Sequence, residues 1–516
     1  MNKTITYIKN LWQERPLLVI IALAIAVRLF AVLFATGYGF HDDYFLVIQP
    51  AQGWLEGQEL NHMLNPNEEG KLSGRSILYP FVHYVIFGAA EWVGITTPEV
   101  KMLLVRFLHM LFFVVGIRWA YQLTVMLSTK NNAKAVGIFM ALFWMFPQLS
   151  VRTLVEVVPI PLMLLASVHT VKYSKGLSSM RSIWWAGVLL GICFSLRYQT
   201  LFFAGGMGLA LLLMGRWKAM LALAAGIMIP IALIHGIGDF FICGFPFCKI
   251  CYYVEYNIIY ANSYITEAWY FYLLILLGVL LPPAGFLLMF GFFRAWKVDV
   301  VLWAGTLAFL VFHSIFPNKQ ERFVFTIIPH IMILGYISWQ QFVAQSTFWQ
   351  KREKLHHAVW ILFWLMNAPL LYFYTPYANK QARTEGMAYL RERGDVRNFV
   401  LFDPVAKEVK PAPMFYLGQH LPYLKWDRKV GAEKRRLELA RLSDALYPNY
   451  LIIMQKRGED IQHKVDSAKV LFPDIKYLET VKMSGVDAFR NTLNKHLKLD
   501  DWVIFEIQGE RTVKYQ

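Results

Sequence analysis

Charge is scarce in this chain: of 516 residues only 17% are Asp, Glu, Lys or Arg, whereas 57% are hydrophobic and 16% aromatic. A soluble protein of this length cannot hide so much apolar surface, so most of it must face lipid. Cysteine is scarce too. Cys193, Cys243, Cys248 and Cys251 are too few for a disulfide framework. Three of them form C-x4-C-x2-C, a spacing that suits thiolate ligation, but no His or fourth Cys completes a set nearby. No metal is therefore expected, and small apolar side chains with at most one disulfide is the preferred reading. The N-terminal apolar run follows Lys3, Lys9 and Arg15 and lacks a small-residue cleavage site, which predicts a retained anchor and not a signal peptide. Basic residues, in contrast, are in excess, 51 against 35 acids. Because many sit in short loops between apolar runs, the excess reads as membrane topology, and no nucleic-acid partner is expected.

A hydrocarbon core about 30 Å thick needs roughly 20 helical residues per crossing. From a cytoplasmic N-terminus, about eleven transmembrane helices are expected, near 17–39, 101–128, 133–149, 154–171, 182–196, 199–215, 218–236, 270–293, 298–316, 323–343 and 357–374. The apolar segment 77–96 holds Pro80, His83, Glu91 and Trp92 and is assigned to the interface. The connections then sort by charge. Lys130 with Lys134, Lys172 with Lys175 and Arg181, Arg216 with Lys218, Arg294 with Lys297, and Lys351 with Arg352 and Lys354 fall on one side, the cytoplasmic one. The other side receives His41-Asp42-Asp43, Arg152 with Glu156, Arg197, the stretch from Asp239 to Asn257, and Pro317 to Arg322. Membrane-edge Arg and Lys often only snorkel to headgroups. Yet Arg152, Glu156 and Arg197 lie at or inside span ends, where an ionisable group is costly unless it faces protein or water. A polar cavity at the outer leaflet is the expectation.

After Tyr374 the composition becomes that of a soluble protein. Strands are expected at 398–402, 450–454 and 502–507 and a charged helix at 432–446. The fold class is thus a multi-pass α-helical membrane protein with a small C-terminal α/β domain. Residues 1–374 form the membrane domain, with a first outer loop over 40–100, and 375–516 form the soluble domain on the non-cytoplasmic side.

Asp42 and Asp43 stand beside His41 at the mouth of the expected cavity. A carboxylate there suits a general base for an attacking hydroxyl, or equally an N-cap for the run Tyr44 to Leu55. Lys319, Arg322 and Arg197 supply cations able to hold a phosphate and to stabilise charge developing on it. The three-residue spacing of Lys319 and Arg322 lets both face one ligand as loop cations.

In order along the chain, these motifs resemble the GT-C glycosyltransferases, specifically the family 22 mannosyltransferases that build lipid-linked oligosaccharides and GPI anchors. His41-Asp42-Asp43-Tyr44 resembles the family's H-P-D-E, which places Asp43 at the acidic position. Arg152-Thr153-Leu154-Val155-Glu156 is similar to its R-T-L segment; Asp239 to Gly244, followed by Tyr253 to Asn257, resembles its D-x-x-x-x-G and N-F-L-x-x-N segments; and Trp269 to Tyr272 resembles W-x-x-Y. His313-Ser314 with Asn318-Lys319-Gln320-Glu321-Arg322-Phe323 is similar to its late H-S-x-x-x-H-K-E-x-R-F loop. The chain departs from the family at Asp42, Tyr44, Asn318 and Gln320.

The resemblance implies an inverting glycosyltransferase that moves a sugar, mannose, from a polyprenyl-phosphate donor to a glycan or lipid-linked acceptor. It needs no cofactor. Asp43 would act as base, with Asp42 beside it. Lys319, Arg322 and Arg197 would hold the donor phosphate. His41, Arg152, Glu156, Asp239, Asn257, Trp269 and Glu321 would line the acceptor cavity. No nucleotide-binding glycine motif stands outside the membrane region, which fits a lipid-linked donor. The setting implied is a bacterial inner membrane with a periplasmic site, or else the ER membrane with a luminal one. The rival from another class is a transporter or flippase, whose charges would line a path between two related halves. No such repeat is evident. A scaffold anchored by the spans is the third reading.

Overall fold

The computed structural model describes residues 9–58, 72–263, 265–494, 497 and 499–508. Lys3 and parts of the first outer loop and the C-terminus lie outside these. The chain divides into two compact units, one of Met1–Leu33, Glu59–Val82 and Val105–Pro376, the other of Phe34–Gln58, His83–Leu104 and Tyr377–Gln516.

The first unit is helical, and a helix lies over each of the eleven apolar segments. Five are long and apolar enough to cross a membrane by length and composition: Pro16–Phe34, Pro98–Leu127, Trp217–Cys243, Glu321–Gln345 and Glu353–Tyr374. Others are shorter than the apolar runs suggest. Lys130–Leu142 stops at Phe143, whose backbone is extended, and after a single helical turn at Phe146–Leu149 the next long helix begins only at Ile160, with prolines at positions 159 and 161. Proline starts a helix readily but cannot continue one. Chain 150–159 is thus irregular yet largely buried, one of the settings in which non-helical backbone is tolerated within a membrane protein. The expected helix at 270–293 likewise divides into Phe271–Val279 and Ala284–Arg294 around Pro282-Pro283. Where helices touch, glycine brings them close. A Cβ at Gly187 would meet the Leu223 carbonyl oxygen at 2.2 Å, and one at Gly226 the Trp184 oxygen at 2.2 Å, as small-residue packing between apolar helices requires.

Arg28 lies fully buried in the first helix. It donates to the carbonyls of Met140 (2.9 Å) and Ala141 (2.8 Å) and to Ser150 Oγ (3.1 Å). It thereby satisfies acceptors that the end of Lys130–Leu142 would otherwise leave bare.

The second unit is built on a five-stranded sheet, β1 Phe399–Phe402, β2 Leu424–Trp426, β3 Tyr450–Gln455, β4 Ile475–Val481 and β5 Asp501–Ile507, in the order β2-β1-β3-β5-β4. The β1 pairings are parallel and the β5 pairings antiparallel. Val400, Phe402, Trp426, Leu451, Ile453 and Phe505 anchor the core on one face. Phe399, Leu401, Tyr450 and Ile452 are equally buried on the other, so β1 and β3 read as continuous apolar runs. β2 and β4 are additions to the expected strands. β2 is three residues long, and β4, at the sheet edge, carries exposed polar positions that mask its period. The charged helix covers Ala432–Ala440, followed by a separate turn at Asp444–Leu446. Phe34–Gln58 is tied into this unit: Phe415 N–H donates to Tyr44 Oη at 3.0 Å, and Tyr38 N–H donates to the Asn379 carbonyl at 3.2 Å.

Candidate active site

Asp43 ends the short helix His41–Asp43, and the chain continues as a π-helical turn, Tyr44–Ile48, into Gln49–Leu55. The three polar residues differ in setting. His41 is exposed and stacks on Phe45 at 4.3 Å, Asp42 is half-buried, and Asp43 is 3% exposed. Asp43 makes no side-chain cap hydrogen bond to the turn that follows, so capping is not what holds it. π-turns concentrate at functional sites, because the extra residue re-aims its neighbours.

In the helical unit, three segments far apart in sequence meet at one carboxylate. Glu156, fully buried in the irregular stretch, has Oε1 at 2.9 Å from Arg197 Nη1 and 3.5 Å from Arg322 Nε. Its backbone carbonyl accepts from Thr326 Oγ1 at 2.7 Å. Arg197 sits here because the helix Met180–Leu196 ends at it in extended conformation, and both guanidinia flank the Phe323 ring, at 4.9 and 5.9 Å. One acid thus faces two arginines, with Arg152 buried on the same stretch as Glu156.

Lys319 and Arg322 are not exposed loop cations. They are 2% and 5% exposed and leave the chain in different directions. Lys319 Nζ turns back on the end of Val300–Ile315, 3.0 Å from the Ser314 carbonyl and also bonded to that of Phe316, whereas Arg322 goes to Glu156 and to Gln320 Oε1 at 2.9 Å. Two cations three apart share a face only on a helix. Here Asn318 is held extended against Thr266, and the helical turn starts only at Glu321. Glu321 itself is exposed, and Trp269 is 66% exposed. Asn257 spends its amide on the Tyr253 carbonyl at 2.8 Å.

Asp239 is fully buried after a second π-helical segment, Ala232–Gly238. Its Oδ2 accepts the Lys249 N–H at 3.2 Å and lies 3.2 Å from His235 Nδ1. Next to it Cys243 and Cys248 form a disulfide, leaving Cys193 buried and Cys251 exposed as thiols. His235, Lys249 and Arg28 escaped the reading of the sequence. The available signal was their charge or polarity inside or beside apolar runs, where such residues are expensive.

A helical unit with a small sheet unit is a fold shared with GT-C glycosyltransferases of known structure. The fold is similar to the crystal structure of ArnT from Cupriavidus metallidurans bound to undecaprenyl phosphate, with a TM-score of 0.61 at 11% identity over 97% of this chain and 99% of that one. It is also similar to the arabinofuranosyltransferase AftD from Mycobacteria, with a TM-score of 0.52 at 13% identity over 96% of this chain and 42% of that one. The chain belongs to the Alg9-like mannosyltransferase family, whose sequence profile matches residues 19–405, and is accordingly a glycosyltransferase. No curated protein matches its sequence.

Proposed function

We propose that the protein transfers mannose from a polyprenyl-phosphate donor to a glycan or glycolipid acceptor, with inversion, on the non-cytoplasmic face of a membrane crossed eleven times. The observation that carries this reading is the buried Arg197–Glu156–Arg322 cluster, whose two neighbouring guanidinia suit a phosphate that gains negative charge as it leaves. An undecaprenyl phosphate is bound in ArnT, a protein of similar fold.

In the proposed step the acceptor oxygen attacks the sugar's anomeric carbon while Asp43 takes the hydroxyl proton. The bond from that carbon to the phosphate oxygen breaks, and its electron pair leaves with the polyprenyl phosphate. Attack opposite to the leaving group inverts the configuration. Arg322 and Arg197 meet the charge on the departing phosphate, which needs no proton to leave. Sidedness is supported by the Cys243–Cys248 disulfide, because such bonds persist in oxidising compartments and this one lies in a connection the charge rule puts outside the cytoplasm. A bacterial periplasm fits, as does the ER lumen.

The test is transfer by the purified protein in detergent from a panel of polyprenyl-phosphate sugars, with sugar nucleotides alongside. Mannose is expected to be the sugar accepted. Arg322→Ala is expected to raise the donor KM by about 10- to 100-fold, the worth of a hydrogen bond to a charged group. Transfer from a sugar nucleotide and from none of the lipid-linked sugars would sink the proposal.

A further inference from the structure

The end of the helical stretch Trp217–Cys243 holds a second polar constellation. His235 and Asp239, one turn apart and fully buried, approach with Nδ1 3.2 Å from Oδ2. An ionised carboxylate only accepts, so Nδ1 donates to it, and in the neutral form of the ring Nε2 is left as a bare acceptor. The pair is braced: Asp239 Oδ2 also takes the Lys249 N–H, and the Lys249 ammonium is spent on the Ser73 carbonyl at 2.9 Å. His235 Nε2 and Asp239 Oδ1 have no hydrogen-bond partner among the described residues. Proteins rarely bury polar atoms in that state unless something else meets them.

Aromatic rings flank the imidazole. The Tyr198 ring lies 5.3 Å from it and 4.8 Å from that of Tyr253, and Phe194 stands at 5.8 Å. Tyr198 directly follows Arg197, so one turn of chain carries both the ion pair to Glu156 and the aromatic wall at His235. Two acceptors ask for donors. A phosphate oxygen brings none at neutral pH, whereas a sugar brings hydroxyls together with C–H faces that pack on aromatic rings.

The geometry points to a sugar-hydroxyl site in which His235 Nε2 accepts from a saccharide hydroxyl, Asp239 fixes the imidazole, and Tyr198 backs the sugar face. The inference rests on glycosyl transfer as the activity, but not on the identity of the donor. The hydroxyl can belong to the donor sugar or to the acceptor sugar.

The experiment follows thermal unfolding of the detergent-purified protein with methyl glycosides of mannose, glucose and arabinose, and separately with polyprenyl-phosphate mannose. It compares wild type, His235→Gln, Asp239→Asn and Tyr198→Leu, and measures KM and kcat for polyprenyl-phosphate mannose with methyl α-mannoside as the acceptor probe. One sugar ligand is expected to stabilise the wild type and not His235→Gln. The KM of the substrate carrying that sugar should rise about 10- to 100-fold, with a smaller change in kcat. A rise in donor KM assigns the hydroxyl to the donor, and one confined to methyl α-mannoside assigns it to the acceptor. Tyr198→Leu, which leaves both polar groups in place, should raise the same KM by a smaller factor and reports even where a polar swap fails to fold. Stabilisation retained in His235→Gln, or unchanged KM values in the folded variants, overturns the site. Absence of turnover with every lipid-linked sugar defeats the donor assignment alone, since glycoside stabilisation still decides this site.

Discussion

Two buried ion clusters, one in each unit, are handled differently. In the sheet unit, the Lys464 ammonium is closed off: it donates to the Met454 carbonyl at 2.7 Å and pairs with Asp403 at 3.2 Å and Glu459 at 3.0 Å, beside an aliphatic and aromatic core. In the helical unit, Glu156 Oε2, Arg197 Nε and Nη2, and His235 Nε2 have no hydrogen-bond partner among the described residues. An unmet buried polar group costs about 1–3 kcal/mol, so a fold keeps several in one region only where something other than stability selects them. On the proposed function, the Lys464 cluster belongs to the scaffold and the Glu156 cluster to the chemistry.

The largest effect is expected at the acid assigned as base. Asp43→Asn should lower transfer by about 10²- to 10⁴-fold with the unfolding temperature preserved, because the amide keeps the size of the carboxylate but takes no proton. Asp42→Asn, at a half-buried position, should be milder. Turnover and thermal unfolding measured on one donor and acceptor pair check both. Near-normal turnover of Asp43→Asn would move the base to Asp42 or Glu156.

One ion cluster in each unit can be broken by a single substitution. Glu156→Gln leaves two buried guanidinia without their carboxylate and should cost about 3–5 kcal/mol, with loss of donor affinity. Lys464→Met should also lower stability, by about 3 kcal/mol, since it removes the ammonium from the buried Asp403 and leaves it only the Val405 and Ala406 N–H groups. Donor KM should be unchanged in that variant. Were Lys464→Met to impair donor use as strongly as Glu156→Gln, the division between closed and open charge would not hold.

The smallest effect is expected from the disulfide. Replacing Cys243 and Cys248 by Ser removes a bond between residues five apart, a short loop worth about 2 kcal/mol in chain entropy. In intact cells, a membrane-impermeant maleimide should label the exposed Cys251 and spare a cysteine introduced by Lys354→Cys. The reverse pattern would invert the topology and remove the oxidising compartment the disulfide requires.

The sequence by itself determined the helices, because an apolar run long enough to prefer lipid is a property of neighbouring residues. It determined β1, β3 and β5 for the same local reason, and it marked Arg152, Glu156 and Arg197 as charges in expensive places. Only the tertiary structure decided what those charges meet. Glu156 finds Arg197 and Arg322 across two later stretches of chain, Lys319 turns from its presumed ligand to the end of a helix, and Arg28 caps a helix that follows a hundred residues on. A charge carries no mark in sequence of its partner, because the free energy of pairing depends on which distant segments pack together and exclude water around it.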